Sequence, residues 1–353
     1  MSEVARTATK RTTIADVAKL AGVGKVTVSY VLNGQSRTAR ISDETSRRVT
    51  LAAQQLNYRP NALGRMLSRQ RADAVAVVFQ YASYFSSRSG FTSEAMRGVC
   101  AACVESDVDL MLHTKKTEDV AGEAANLMDG RVDGVLILRN RGDETLAKLT
   151  SNAFPTVLFF TREYDSDIPF VDANNQSGGR MATEHLISLG HRRIAMLGGP
   201  VGSVAADDRF IGYQTALDRA GIAYDPALVL KTGHLVNVRE VVTKFMKLEN
   251  RPTAIFAWSD DDALESIRIL GELGYSVPCD VSVVGFDSSD NCEFVVPPLT
   301  SVRQPVFEMA FAATELLVKL VRGTEVTQTQ IEFEPELVIR SSTGPTKATC
   351  SQC

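Results

Sequence analysis

Two groups of residues have types and positions that could do chemistry. In KVTVSYVLN, Val28, Val31 and Leu32 carry the apolar period of a helix, which leaves Val26, Tyr30 and Asn33 on the opposite face, Ser29 flanking them and Lys25 at the tip. Such a small, mixed face suits base edges in a DNA groove, and a helix N-terminus suits a phosphate. The second group is Arg209 and Asp287. Asp287 ends the apolar run VSVVGF, and Arg209 opens a helical stretch after the loop GGPVGSVAADD. A carboxylate accepts from neighbouring hydroxyls and a guanidinium fork donates to them, so a sugar-like molecule suits the pair.

The elements that must hold the first group are short. TIADVAKLAGVGKVTVSYVLN predicts two helices joined by a tight turn: Thr13 caps the first by accepting from the Asp16 N–H, Ile14, Val17, Ala18 and Ala21 form one apolar stripe, and Gly22 stops it. After GQSRTAR, Ser42 can cap a third helix running to about Asn57, whose Val49, Ala52, Ala53 and Leu56 close a miniature core. Residues 12–58 thus read as a small all-α helix-turn-helix, with Lys25, Val26 and Tyr30 as principal readers and Thr13, Thr27, Ser29, Asn33, Ser42, Thr45 and Tyr58 as further DNA contacts. Charge agrees. Residues 1–71 hold 13 Lys/Arg against 4 Asp/Glu, net +9, and the remainder is net −13, so a basic head that would release counterions from a polyanion sits on an acidic body.

TIADVAKLAGVGKVTVSYVLNG followed by NYRPNALGRML resembles the headpiece and hinge of the LacI/GalR family. The resemblance implies that residues 59–73 are a hinge helix and linker that folds on operator DNA, that Asn61 joins the DNA contacts, and that Leu67 is the leucine that wedges into the minor groove. It also implies a homodimer on a palindromic operator, with two hinge helices brought together. Two departures stand out. Tyr30 replaces an arginine that reads guanine in many relatives, and Gly64 raises the cost of ordering the hinge by about 1 kcal/mol.

From residue 74 to 343, apolar runs alternate with helical stretches. VAVVFQY, DLMLHT, VDGVLIL and TVLFF alternate with helices near 92–106, 118–130 and 143–152. A second series then opens at VDANN, with strands near 194–198, 228–232, 254–258 and 281–286 and helices near 205–220, 237–249, 261–273 and 305–322. Two such series predict a two-lobed α/β sensor of parallel sheets flanked by helices, with ligand in the cleft at the carboxyl ends of the strands. The family resemblance implies a periplasmic-binding-protein-like fold in which the chain crosses between lobes more than once.

By the same resemblance, the arginine of R-x-x-G-Y and the aspartate of V-V-G-[YF]-D contact effector hydroxyls, here Arg209 and Asp287. Ser259 stands where an asparagine often bonds the ligand, and His234 where relatives often carry an aromatic contact. Trp258, the sole tryptophan, either stacks on the ligand or serves the core. The loop QYASYFSSRSGF offers Tyr81, Phe85 and Phe91, any of which could lie over the ligand, with Tyr81 and Phe91 carried forward as contacts.

Other chemistries lack support. Gly198-Gly199-Pro200-Val201-Gly202 is no dinucleotide fingerprint, because its proline removes a phosphate-facing N–H, and no nucleophile–base arrangement is readable, so neither a cofactor nor an enzyme is expected. Asp260-Asp261-Asp262 reads as helix capping rather than a metal site, and the four histidines lack ligand spacing. Cys100-x-x-Cys103 would share a helix face, while Cys350-x-x-Cys353 ends a flexible tail, residues 344–353. No apolar run spans a bilayer and no export signal is readable, so the expected place is the cytoplasm, at the nucleoid. The whole predicts a ligand-controlled, DNA-binding transcriptional repressor with a small sugar-like effector; a transport-type solute-binding protein is the second reading and a sugar-modifying enzyme the third.

Overall fold

The structure is a computed structural model that describes residues 12–59, 71–79, 90–114, 120–164, 166–231 and 238–346. The chain divides into two units at Ala72 and Asp73.

The first unit holds α1 (Ile14–Ala21), α2 (Lys25–Leu32) and α3 (Asp43–Gln55). Thr13 starts α1 with a capping box: its side chain faces the Asp16 N–H, as expected, its hydroxyl and its N–H both donate to the Asp16 carboxylate, at 2.8 and 2.9 Å, and the Asp16 N–H also reaches the Thr13 carbonyl. The carboxylate is the stronger acceptor and sits over the positive end of the helix. Gly22, at φ 65°, ends α1 in the left-handed conformation that a side chain would oppose. Val17, Ala18, Ala21, Val28, Val49, Ala52 and Ala53 form the core, with Ile14, Val31, Leu32, Leu56 and Tyr58 packed on it.

In the second unit the strands are β1 (Ala74–Phe79), β2 (Asp109–Leu112), β3 (Gly134–Leu138), β4 (Thr156–Phe159), β5 (Phe170–Ala173), β6 (Ile194–Leu197), β7 (Val229–Leu230), β8 (Ala254–Ala257), β9 (Ser282–Asp287), β10 (Thr300–Arg303), β11 (Gln330–Phe333) and β12 (Glu336–Val338). They form two six-stranded sheets, ordered β11-β5-β4-β3-β1-β2 and β12-β10-β9-β8-β6-β7. All pairings are parallel except β10 with β12. Parallel strands covered on both faces read as unbroken apolar runs, as AVAVVF and GVLIL do.

The helices cover both faces of each sheet. On the first sheet α4 (Gly90–Ser106) and α12 (Val306–Val321) cover one face, and α5 (Val120–Leu127) and α6 (Glu144–Ser151) the other. On the second, α7 (Asn175–Ser188) and α8 (Val204–Arg219) oppose α9 (Val238–Met246) and α10 (Asp260–Glu272); a short α11 (Asn291–Phe294) follows β9. Within α4 the two cysteines part company: Cys103 is in the core, where burial lifts its thiol to about 11, and Cys100 is exposed.

The chain passes between the lobes three times: from β5 to α7, from β10 to α12, and from β11 to β12. VDANN therefore does not open the second lobe as its sequence position implies. Its β5 pairs with β4 (Leu158 opposite Phe170) and with β11, which completes the first sheet. The strands β10, β11 and β12 are absent from the sequence-based expectation.

Candidate effector site and DNA-reading face

Arg209, four per cent exposed, stands at the carboxyl ends of the second sheet. Close packing of α7 on α8 sets its backbone: a Cβ at Gly179 would lie 2.2 Å from the Arg209 carbonyl oxygen, so only glycine permits this approach. Its guanidinium lies over the Phe286 ring at 3.5 Å and the Trp258 ring at 5.7 Å. Nε donates to Asn175 Oδ1 at 2.9 Å, and Nη1 donates to the Trp258 carbonyl. Nη2 lies 3.9 Å from Asp287 Oδ1, close enough for attraction and too far for a hydrogen bond.

Asp287 is held in place at a backbone cost. Its φ is 109°, and Ser288 follows at φ 50°, both in the positive range that side chains disfavour. Gln304 Nε2 donates to Asp287 Oδ1 at 2.6 Å. Burial raises the Asp287 pKa well above the usual carboxylate value, against the pull of Arg209, with Asp260 and Asp261 adding repulsion. Beneath it, Asp260 accepts from the Ser289 N–H at 2.7 Å, the Ser301 hydroxyl at 2.5 Å and the Cys292 thiol at 3.1 Å, and burial lifts it to about 6.

The two lobes meet around this pair. A cavity of about 210 Å³ is lined by Gly90, Phe91 and Glu94 from α4 and by Asp287, Ser289 and Gln304 from the second lobe. Gly90 is packed so tightly that a Cβ there would sit 2.3 Å from Ser289 Cβ. Phe91 meets Phe160 edge-on at 4.7 Å, and Phe160 follows β4 at φ 58°. Each lobe thus closes a cleft strand on a residue in left-handed backbone. A larger open groove along α9, lined by Arg239, Glu240, Thr243, Lys244, Lys247 and Leu248, lies away from these strand ends.

A polar latch crosses between the lobes beside the site. Arg162 Nη2 from the segment after β4 donates to Asp208 Oδ2 on α8 at 2.7 Å, and its Nη1 donates to Glu332 on β11. The Tyr164 hydroxyl donates to Asp208 Oδ1 at 2.5 Å and Gln176 Nε2 adds a third donor at 2.8 Å. The Arg141 N–H donates to the Gly202 carbonyl at 3.0 Å, a second strap between the lobes.

In the first unit, α2 presents Lys25, Val26 and Tyr30 outward; Val26 is 66% and Tyr30 41% exposed, far above the level expected of apolar side chains in so small a core. Thr27, Ser29 and Asn33 are half-buried beside them, and Asn33 Nδ2 donates to Ser29 Oγ at 3.2 Å. At the start of α3, Ser42 Oγ accepts from the Thr45 N–H at 3.3 Å. Thr13 is exposed and Tyr58 half-buried.

Residues 13–61 match the family of bacterial regulatory proteins, lacI family, and residues 183–343 match a periplasmic binding protein-like domain. The chain is 35% identical to the HTH-type transcriptional regulator CelR of Thermobifida fusca, across 94% of this chain and 98% of that one. It is 31% identical, with the same coverage, to the HTH-type transcriptional repressor PurR of Actinobacillus pleuropneumoniae serotype 3 (strain JL03). Among solved structures, a complex of the transcriptional regulator CelR with cellobiose matches at 34% identity and TM-score 0.70, across 94% of this chain and all of that one. The lac repressor dimer bound to operator and the anti-inducer ONPF matches at 25% identity and TM-score 0.82, across 95% and 100%. The chain belongs to the LacI family.

As a LacI-family member it is a transcriptional regulator with a DNA-binding domain and a ligand-binding domain, and not an enzyme. Among the described residues no helix is long and apolar enough to cross a membrane, and no group of three or more His, Cys, Asp or Glu is placed to hold a metal ion.

Of the sequence-derived effector residues, Arg209, Trp258, Ser259 and Asp287 come together at the strand ends, and Phe91 lines the cavity with Asp287. Tyr81 and His234, together with Asn61, Leu67 and the Cys350–Cys353 pair, lie outside the described residues. Ser259 has local work: its Oγ accepts from the Asp262 N–H at 3.3 Å and caps α10. The acidic run does begin α10, with Asp260, Asp261 and Asp262 in its first turn, but the capping side chain is the serine one position earlier, and Asp260 turns inward. Sequence reasoning missed Asn175, Phe160, Phe286, Gln304 and the Arg162–Asp208 latch, whose partners are distant in the chain. The one local clue was NNQSGG, where an asparagine pair precedes the glycines of the helix crossing.

Proposed function

We propose that the chain is a cytoplasmic, nucleoid-associated homodimeric repressor that reads a palindromic operator and loses or gains operator affinity when a small sugar-like effector enters the cleft. The observation that carries the effector half is the Arg209–Asp287 pair: opposite charges 3.9 Å apart, both buried, one braced by Asn175 and the other by Gln304. A donor fork beside an acceptor carboxylate suits vicinal hydroxyls, one for each group, and the Trp258 ring beside them suits the apolar face of a pyranose. CelR, the relative solved with cellobiose, supports a β-linked disaccharide as the first effector to try.

For the DNA half, Lys25, Val26, Thr27, Ser29, Tyr30 and Asn33 are the proposed groove contacts, and Thr13, Ser42, Thr45, Tyr58 and Asn61 the supporting ones, with Leu67 as the wedge. Exposure of Val26 and Tyr30 on α2 supports the reading. A second copy would cover the apolar side chains of Phe294 and Val296, 83% and 88% exposed, which is the chemistry of a subunit interface; the lac repressor relative is a dimer. The test is a gel shift with the protein's own promoter, titrated with cellobiose and other sugars. A sugar that changes operator affinity supports the reading, and indifference to every sugar rejects the effector half.

A further inference from the structure

Asp172, on β5, is one per cent exposed and belongs neither to the effector pair nor to the latch. Its Oδ1 accepts from the Ala173 N–H at 2.8 Å and from Asn175 Nδ2 at 3.2 Å, which also donates to the Ala173 carbonyl at 3.1 Å, while its Oδ2 is buried without a hydrogen-bond partner. Asn175 Oδ1 in turn accepts from Arg209 Nε at 2.9 Å. A side-chain amide has one donor end and one acceptor end, so a carboxylate that holds the donor end obliges the oxygen to face the guanidinium. Reversed, Asn175 would point N–H groups at a cation.

We propose that Asp172 is a positioning residue for Arg209, acting through Asn175, and that gain or loss of its proton changes how Arg209 is presented to the effector. The proposal rests on the reading of Arg209 as an effector contact. Ionised, Asp172 makes a charge-assisted bond to Asn175 and attracts Arg209; protonated, it does neither as strongly. The groups facing it are Arg162 from the segment after β4, Asp208 and Arg209 from α8, and Glu332, its register partner on β11. Three carboxylates therefore share two guanidiniums, one of which also faces Asp287. Burial lifts Asp172 to about 7, opposed by the Ala173 N–H, Arg162 and Arg209, which places the change of charge near neutrality.

Trp258 makes the test independent of any sugar. It is the only tryptophan, its carbonyl accepts from Arg209 Nη1, and its ring lies beneath the guanidinium, so its emission reports on Arg209. Fluorescence of the full ligand-free chain would be followed from about pH 5.5 to about pH 8.5 in wild type, Asp172→Asn and Asn175→Ala, bracketing the neutral range in which a buried carboxylate titrates. Wild-type emission is expected to shift with a midpoint near 7. Asp172→Asn, which keeps an acceptor for Asn175 but is uncharged and cannot titrate, is expected to retain the low-pH emission and lose the shift. Asn175→Ala severs the link and is expected to lose the shift with Asp172 intact. A flat wild-type profile overturns the proposal, as does a shift that survives in either variant, since Asp260, Asp262 or Asp287 near the ring would then carry it. Because no sugar is added, failure here leaves the effector reading to stand or fall by the gel shift.

Discussion

Asp208 and Arg209 are neighbours on α8 that answer to different lobes: Asp208 is gripped by Arg162 and Tyr164 of the first lobe, and Arg209 is set among Asn175, Trp258 and Asp287 of the second. A ligand that draws on Arg209 therefore strains a latch one residue away. Effector occupancy and lobe spacing are joined by a single peptide unit, which is the kind of differential contact that allosteric coupling requires.

Asp208→Ala tests that join. It removes the buried acceptor of three donors, one from half-buried Arg162 and two from exposed Tyr164 and Gln176, and leaves Arg162 with Glu332 alone, so a stability loss of about 3 kcal/mol is expected, read by urea denaturation. In gel shifts the effector's influence on operator binding should shrink from a coupling of about 1–3 kcal/mol toward zero. Undiminished coupling would show that closure does not pass through this latch.

Tyr30→Ala should cost about 1–3 kcal/mol of discrimination between the operator and scrambled DNA while leaving sugar affinity and melting temperature in place, because the ring is exposed and outside the headpiece core. Competition gel shifts measure it. Equal discrimination by the variant would remove Tyr30 from the readers.

Asp172 also sets a pH dependence of stability. Its carboxyl is near 3.8 in the unfolded chain and about 7 in the folded one, so the folded state holds the proton more tightly between those values. The contribution is complete below the unfolded value and is lost as pH rises through the folded one. Asp260, raised to about 6 by burial, acts in the same direction. His113, His185 and His191, lowered by burial, act in the opposite direction and equally in wild type and variant, so between about pH 5 and about pH 8 the melting temperature of the wild type should fall relative to that of Asp172→Asn, which carries no such proton. An equal change in both proteins would contradict the assignment.

Phe294→Asp combined with Val296→Asp should convert the dimer to monomer with little change in folding, since both side chains are more than four-fifths exposed. Sedimentation velocity decides it. Operator affinity should drop steeply with the loss of the second headpiece, and a persistent dimer would place the interface elsewhere.

Most of this architecture was legible because its strands are buried on both faces and its helices are amphipathic. VAVVF and VLIL announce themselves by unbroken apolar content, and the helices predicted near 205–220 and 261–273 fall within one residue of α8 and α10. QIEF and ELV do not: they are edge strands of three or four residues with every side chain at least partly exposed, and their place is fixed by pairing with β5 and β10, far away in sequence. The site divides in the same way. Arg209 and Asp287 sit in recognisable local contexts, whereas Asn175, Gln304 and Asp172 acquire meaning only through partners that folding delivers. Ser259 was read by its neighbourhood and turned out to be engaged by its own helix.

The three passages between lobes bear on the order in which the protein can be made. β11 completes the first sheet and α12 covers one of its faces, yet both follow all five parallel strands of the second sheet in the chain. A ribosome releases the amino-terminal lobe's last strand only after the carboxyl-terminal lobe is almost wholly synthesised. The first lobe must wait, with the edge of β5 unpaired and the apolar faces of Val75, Val77 and Leu136 uncovered by α12. Nascent chains stalled before residue 306 are therefore expected to be chaperone clients, and the headpiece, already out of the exit tunnel, cannot belong to a finished sensor until the final strands arrive.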